Sequence, residues 1–544
     1  MAQPGQLYVT MEPQPGLPSQ QFHEWYNNEH GPTRLSIPEI FANGLRYQAT
    51  DGQKPTFLAA YDVTDMSHLE TETYLKLRAN RSPREAQTIG QVDVVRYFWD
   101  LVSTDLSPLF LPIERLTNDE AEGISLAAVH FTLSEDSASA GQKFEEWYKN
   151  EYSPAMSKAG GWLRSRLYKT SRLEGGKGPA SFLALVDFAK GTSLNTEQVL
   201  PPSSAQSLST IAQIKSQRTY SLFYVFGAGS RDLQHLSQLD RAQSTFTSAD
   251  SRTRTTNDPE PVIESTVTTP DGLVIPYRLE GNTDPKAPVI AFCNSLLTSL
   301  KMWDPFVAIL KSKRPQYQLL RYDTRGRHAI PLPPTPATLD MVSADLAFLM
   351  TSLRIDKLDT LIGVSMGGAT TLRFALDYPD RLDRYVACDF NAASSAANTE
   401  AWKGRIAMAE TARIEESGKT GIEHLAAQTV ERWFHPTTMT QKRDTVVPWM
   451  TDMVAANHIE GFRYGCQALW DYDMKSEIKR CKVPGLMVVG EGDGKGALVK
   501  AMDSFRGQIG PKEEGVELAI VPEAGHLPMC ESPEGFWTAV EKFL

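Results

Sequence analysis

The 544-residue sequence predicts a chain of two structural classes, an α+β part built twice over and an α/β part after it. Three observations lead there. A motif near residue 22 recurs near residue 144, strand-like and helical runs alternate from residue 262 onward, and a G-x-S-x-G stretch is followed by an aspartate and a histidine, each after a later strand-like run. A single hydrophobic core rarely serves so long a chain, so several domains are expected.

The recurring motif is Phe22-His23-Glu24-Trp25-Tyr26-Asn27-Asn28-Glu29-His30-Gly31-Pro32, matched by Phe144-Glu145-Glu146-Trp147-Tyr148-Lys149-Asn150-Glu151-Tyr152-Ser153-Pro154, an offset of 122 residues. Each copy opens with an alternating run (7–11 and 125–132) and passes through the motif helix. Two strand-like runs follow (44–50 with 56–63, and 163–170 with 181–188), then a polar or helical stretch and a last strand (92–101 and 218–225). The order β-α-β-β-α-β, read twice, is that of tandem ferredoxin-like units. A four-stranded sheet with helices on one face leaves the other face bare, and two copies in one chain bury it together. On the Phe-x-x-Trp-Tyr-x-x-Glu-His-x-Pro stretch the first 225 or so residues resemble EthD-like members of the dimeric α+β barrel family. The resemblance implies an internal pseudo-dimeric α+β barrel, with repeats over 1–110 and 111–228. Single-module relatives hold small cyclic compounds between sheet and helices, and some carry out cofactor-free isomerisation or dehydration. His30 is the acid/base candidate here. His23 lies seven residues earlier on the same helix, two turns away, but the second copy has Glu145 and Tyr152 at these places, which argues against a metal pair.

Residues 229–260 are polar and rich in Ser, Thr, Gln, Asp and Arg, and read as a linker or surface arm. From 261 to 544 the runs 264–268, 274–279, 288–293, 317–323, 358–363, 384–389, 484–490 and 516–521 supply a largely parallel sheet. Between 391 and 482 the strands stop, and a stretch bearing Trp402, Trp433, Trp449 and Trp470 reads as a helical cap over the sheet's C-terminal edge.

Gly363-Val364-Ser365-Met366-Gly367 sits between an apolar strand and a helical run, the setting of a nucleophile elbow. A serine hydroxyl needs a base held in one tautomer by an acid. Asp493 follows the penultimate strand and His526 the last, giving the chain order Ser365, Asp493, His526 of an α/β-hydrolase. Asp389 also ends a strand and is the rival acid. His424, His435 and His458 are read as surface or packing residues. The oxyanion of acyl transfer needs two N–H donors. Met366 follows the nucleophile and is one; Leu296, in the loop after strand 288–293, is the other. With Asn294-Ser295-Leu296-Leu297, Met302-Trp303-Asp304-Pro305, Arg321-Tyr322-Asp323-Thr324-Arg325-Gly326, 402–406, Arg432-Trp433-Phe434 and Gly465-Cys466-Gln467-Ala468-Leu469, residues 262–544 resemble the 3-oxoadipate enol-lactonases. The departures are Asn294-Ser295 where many hydrolases have His-Gly, Arg327-His328 where the family usually has His-Gly, and the glycines around Asp493. The family's acidic lactone implies a cation in the pocket, supplied by Arg405 or Arg432, with Trp402 and Trp433 as walls and Asn294 and Ser295 also assigned to the substrate.

Composition sets the remaining expectations. Hydrophobic residues at 41 % and charged residues at 22 % are ordinary for a globular chain, and a formal charge of −11 argues against a general nucleic-acid binder. No apolar run reaches the roughly 18 residues of a bilayer span, and residues 1–6 lack the features of a signal peptide, so no membrane partner and a cytoplasmic location are expected. Cys293, Cys388, Cys466, Cys481 and Cys530 are odd in number and without CxxC spacing, so neither disulfides nor zinc are indicated. The expectation is a cofactor-free serine hydrolase acting on a small lactone or ester of aromatic or polyketide origin, with the barrel acting on, holding or delivering a neighbouring intermediate. The same triad supports C–C bond hydrolysis or perhydrolysis. A different class of reading makes the barrel an isomerase or dehydratase, and a structural one makes it the means of forming a homo-oligomer.

Overall fold

The computed structural model describes residues 2–174, 181–194, 199–200, 207–229, 231–411, 418–511 and 514–544. The chain divides into two compact units, Met1–His235 and Leu236–Leu544.

In the first unit eight antiparallel strands close into a barrel. They are β1 (Gly5–Pro13), β2 (Leu45–Ala49), β3 (Phe57–Val63), β4 (Val92–Leu106), β5 (Ser125–Leu133), β6 (Trp162–Thr170), β7 (Ser181–Phe188) and β8 (Ala212–Val225). The order around the barrel is β1-β3-β2-β8-β5-β7-β6-β4, and β4 returns to β1. The first half thus supplies a run β4-β1-β3-β2 and the second a run β8-β5-β7-β6. The lengths of β4 and β8, 15 and 14 residues, follow from the closure. Val92 to Asp100 of β4 pair with β1, and its far end, Trp99 to Leu106, pairs with β6. Likewise β8 pairs with β5 over Ala212 to Ser221 and with β2 over Tyr220 to Val225. Closure leaves no open edge to template aggregation.

Period-two alternation sends one set of side chains into the lumen and the other under the helices. Leu45, Tyr47, Leu58, Leu126, Leu183 and Leu185 fill the lumen. Leu7, Val9, Met11, Ala59 and Tyr61 face one helical layer, and Val129, Phe131, Ala184 and Val186 the other. The duplicated motif adopts the same backbone in both copies: a helix (Ser19–Trp25; Ala138–Trp147), a widened π turn (Tyr26–His30; Tyr148–Tyr152), and a last short helix (Gly31–Leu35; Ser153–Met156). The Gly31 N–H reaches back to Tyr26 O and the Ser153 N–H to Tyr148 O. Pro32 and Pro154 come next and have no N–H to continue the ordinary ladder, which accounts for the local widening.

The second unit is a ten-stranded sheet of β9 (Phe246–Thr247), β10 (Arg254–Asn257), β11 (Pro261–Thr268), β12 (Val274–Gly281), β13 (Val289–Cys293), β14 (Gln318–Tyr322), β15 (Leu358–Val364), β16 (Leu382–Cys388), β17 (Gly485–Gly490) and β18 (Glu517–Val521). Its order is β18-β17-β16-β15-β13-β14-β12-β11-β10-β9. β13 to β18 are parallel, and β9 to β12 add an antiparallel edge. The segment 229–260, expected as a linker, therefore carries structure of its own. Its polar side chains are used within it: Thr255 Oγ1 donates to Ser244 O at 2.7 Å, and Asn257 Nδ2 to Ser237 O and Leu239 O at 3.1 and 3.0 Å. Threonine also suits an edge strand, which low hydrophobicity conceals from a composition reading. Helices Ala396–Ala409, Gly421–Trp433, Pro436–Gln441, Val446–Ala455 and Ile459–Cys466 intervene between β16 and β17. No helix among the described residues is long and apolar enough to cross a membrane.

Phe22 and Phe144 occupy equivalent places and both are 0 % exposed. Truncating either, Phe22→Ala or Phe144→Ala, is expected to destabilise the first unit by about 3–5 kcal/mol. Urea unfolding of each variant measures this, and a cost under about 1 kcal/mol for one copy would show that the two layers are not equivalent.

Candidate active site

Ser365 follows β15 directly, with φ 60° and ψ −119°. A non-glycine residue at such a backbone costs of order 1–3 kcal/mol. It is held there because helix Met366–Asp377 starts at the next residue and the Ser365 N–H donates to Cys388 O of β16 at 2.9 Å. The flanking glycines are a steric requirement. A Cβ at Gly363 would stand 2.2 Å from Gly367 O, and one at Gly367 would stand 2.1 Å from Cys293 O. Strand and helix can cross this closely only without those side chains.

His526 lies beyond β18, and its Nδ1–H donates to Asp493 Oδ2 at 2.7 Å. Asp493 follows β17 and is buried. Gly494, Lys495 and Gly496 all take positive φ, at 56°, 59° and 80°, so the chain doubles back immediately after the acid. The glycine-rich departure noted in the sequence is this left-handed turn. The imidazole is also fixed from outside the pair. The backbone N–H of His526 donates to Trp433 O at 2.7 Å, and the Trp433 ring stacks on the imidazole with centroids 5.5 Å apart.

Asp389, the rival acid, does not replace Asp493 at the histidine but stands beside it. Ligand atoms of Asp389, Asp493 and His526 lie within 4.8 Å of one another. Asp389 Oδ1 accepts the Gly490 N–H at 2.9 Å. Burial, and then the neighbouring charge of Asp493, holds the Asp389 carboxyl well above the usual carboxylate range. Of the two acids, Asp389 is the one that burial and its neighbour bias toward the protonated form, and Asp493 is the one bonded to the imidazole.

Residues 288–533 match the family model of the alpha/beta hydrolase fold. The chain is 30 % identical over 278 residues to 3-oxoadipate enol-lactonase 2 of Acinetobacter baylyi, spanning 51 % of this chain and 95 % of that protein. The chain belongs to the α/β-hydrolase family. A second relative, 3-oxoadipate enol-lactonase 1 of the same organism, is 28 % identical over 270 residues, spanning 50 % of this chain and 92 % of that protein. The crystal structure of the enol-lactonase from Burkholderia xenovorans LB400 aligns with a TM-score of 0.43 at 29 % identity, covering 50 % of this chain and 96 % of that one. At the level of the family, this α/β-hydrolase is an enzyme acting on esters or lactones.

In this hydrolase the loop after β13 brings Ser295 and Leu296 to a small cavity of about 20 Å³ that Met366 also lines. Met366 opens a helix, so its N–H has no partner within it. Asn294, assigned to the substrate from sequence, is occupied in the fold instead. Its Nδ2 donates to Tyr322 O at 2.8 Å, and its Oδ1 accepts the Trp303 indole N–H at 2.9 Å. A side chain engaged at both ends braces the loop. Arg327, the other departure, spans two elements, with its guanidinium donating to Leu297 O and Met453 O at 3.1 Å each.

Trp402 is buried, with the Arg405 guanidinium 4.4 Å from its ring centre. Desolvation lowers the Arg405 pKa, and Arg432 is pushed down to about 10 by desolvation and then by the like charge of Arg405. Neither forms an ion pair with a carboxylate among the described residues. A residue that the sequence reading missed is Glu531. Its carboxylate accepts the N–H groups of Gly525 at 2.9 Å, Leu527 at 3.2 Å and His435 at 2.7 Å, clamping the loop that carries His526. The only sign in the sequence is one acidic residue directly after the apolar stretch Leu527-Pro528-Met529-Cys530.

In the first unit His30 is buried and pairs through Nδ1 with Glu85 at 2.6 Å. Burial drives His30 down to about 3, so at neutral pH it is an uncharged donor to an ionised Glu85. His23 does not join it. The π turn separates them, and His23 packs against the rings of Phe57, Phe223 and His235. Nearby Glu29 is raised to about 7 by burial; its oxygens accept no hydrogen bond among the described residues, and the Arg84 guanidinium stands 3.8 Å from Oε2.

Asp493→Asn should slow reaction of Ser365 with a fluorophosphonate by about 10⁴-fold, since it imposes the wrong imidazole tautomer. Asp389→Asn replaces a protonated acid by its isostere and should change that rate less than about ten-fold; the reverse ranking would make Asp389 the acid. Because Glu29 binds its proton more tightly when folded, the first unit loses stability as pH rises from about 4.5 to about 7, by up to about 3 kcal/mol. Denaturation at pH 5 and pH 8 should therefore show Glu29→Gln stabilising at pH 8 and nearly neutral at pH 5.

Proposed function

We propose that Ser365, His526 and Asp493 are a catalytic triad hydrolysing a lactone or ester that carries a carboxylate, as an enol-lactonase does. The observation that supports this most is the 2.7 Å His526–Asp493 hydrogen bond, in a unit that also holds Ser365 at positive φ directly after β15. In this reading His526 Nε2 takes the Oγ proton of Ser365 as Oγ adds to the substrate carbonyl. The N–H groups of Met366 and Leu296 donate to the resulting oxyanion, and the start of helix Met366–Asp377 adds its positive end. The C–O bond then breaks, His526 returns the proton to the leaving oxygen, and Ser365 is left acylated. Water, deprotonated by His526, adds to the acyl carbon and releases the acid, and the proton goes back to Ser365.

The carboxylate part of the reading rests on Arg405 and Arg432. Two guanidinium groups that repel one another and, among the described residues, form no ion pair with a carboxylate are a site that a substrate carboxylate suits, with Asp493 near Arg432 supplying part of the negative charge. Trp433 limits how far the histidine can turn, and Ser295 lies beside the oxyanion donors. We read the first unit as tandem ferredoxin-like repeats of EthD-like kind, supported by the repeated helix, π turn and helix in equivalent places.

Intact-mass labelling with a fluorophosphonate should give one adduct on the wild type and none on Ser365→Ala. In steady-state assays Arg405→Leu combined with Arg432→Leu should raise KM for an acidic lactone by at least about ten-fold and alter a neutral ester of the same size less than about three-fold. An equal effect on both substrates would remove the carboxylate from the proposal while leaving the triad in place.

A further inference from the structure

Four arginines from separate segments gather beside the motif helix of the first half. Arg34 belongs to the short helix Gly31–Leu35, Arg78 to helix Glu72–Ala79, Arg81 to the turn after it, and Arg96 to β4. Tyr74 stands among them, with the Arg78 guanidinium 5.9 Å from its ring centre. Burial lowers the Arg96 pKa, and the like charges of Arg34, Arg78 and Arg81 lower it further. None of the four forms an ion pair among the described residues, in a chain whose formal charge is −11. Glu85 is the carboxylate whose charge reaches Arg34 and Arg81, and it is already engaged by His30 Nδ1 at 2.6 Å.

The cluster is graded in depth. Arg78 and Arg81 are exposed, Arg96 is half-buried, and Arg34 is 8 % exposed. Arg34 donates one hydrogen bond, from Nη1 to His30 O at 2.6 Å, and its other N–H groups meet no acceptor among the described residues. They are open, unlike the unpaired Nε and Nη2 of Arg46, which are closed off from solvent. The hydroxyl of Tyr74, a side chain 2 % exposed, is likewise open and without a partner among the described residues. The fold does not require a cation at this place. At the offset of 122 residues that relates the two motifs, the second half has Met156 instead, buried in its apolar layer. A buried arginine carries a desolvation cost that methionine avoids, so Arg34 answers to something other than packing.

We infer that this cluster binds a multiply charged oxyanion of the phosphate-ester or diphosphate class, with Arg34 and Arg96 donating from the buried side and Arg78 and Arg81 from the exposed side. Paired guanidinium N–H donors match phosphoryl oxygens, and four cations around one engaged carboxylate call for more than a single negative charge. The site is separate from Ser365 and does not depend on the triad. It is tested by calorimetric titration of the full chain at pH 7, without divalent cations, with pyrophosphate and with acetate. Pyrophosphate is expected to bind at least about ten-fold more tightly than acetate. Arg34→Met, which installs the side chain of the second half, should weaken pyrophosphate at least about ten-fold. Arg78→Ser combined with Arg81→Ser, at two exposed positions, should weaken it about ten-fold and is the deciding variant if Arg34→Met fails to fold. Lys158→Ser removes an exposed charge beside the second motif and should change binding less than about two-fold. No pyrophosphate binding at millimolar concentration, acetate binding as tightly, binding that a folded Arg34→Met or the Arg78/Arg81 pair leaves unchanged, or an equal loss in Lys158→Ser would each overturn the inference.

Discussion

The second unit is arranged around a single close crossing, where helix Met366–Asp377 meets β15 and the end of β13 with no room for a Cβ at Gly363 or Gly367. That contact drives Ser365 to positive φ and raises its side chain above the sheet's C-terminal edge. It also starts a helix at Met366, leaving an N–H free beside the serine, and brings the loop after β13 alongside, so that Leu296 and Met366 line one cavity. The proposed nucleophile and both proposed oxyanion donors are therefore consequences of one steric event. A methyl group at either glycine would separate all three.

Charge around His526 is organised with equal economy. Three carboxyl groups, Asp389, Asp493 and Glu531, cluster near one imidazole, and three anions in a buried site would repel strongly. The structure avoids this by giving each a different task. Glu531 is surrounded by three backbone N–H donors and holds the loop. Asp389 takes one backbone N–H and is biased by burial toward the protonated form. Asp493 is left facing the histidine, the only one of the three whose hydrogen bond goes to a side chain that can carry the compensating positive charge. The division of labour follows from neighbours, since the three side chains are chemically almost the same.

This explains what the sequence could and could not reveal. Ser365, Asp493 and His526 are legible because each must follow a strand, and strands announce themselves as apolar runs. Asp389 satisfies the same rule, so pattern alone left two acids, and only the spatial arrangement separates the one at the imidazole from the one behind it. Asn294 was assigned to the substrate because its place in the loop is visible in sequence, while the Trp303 indole and Tyr322 carbonyl that engage it come from other segments. Glu531 was invisible for a related reason: its partners are backbone amides, which every residue has. In the first unit the duplication was legible from eleven residues, yet the barrel's closure depends on β4 and β8 running past their own halves, a matter of length that a strand-like pattern does not bound.

The same closure explains why the barrel interior carries so many charged groups. A sheet with one face to solvent alternates apolar and polar residues, but here both faces are covered, one by helices and one by the opposite wall. Leu58, Leu126, Leu183 and Leu185 make the lumen apolar, and Asp62, Arg164, Arg166 and Asp187 form an ion-paired group on neighbouring strands. Cross-strand pairing of these ions removes their desolvation penalty as a group, whereas replacing one would leave its partner buried and unmatched.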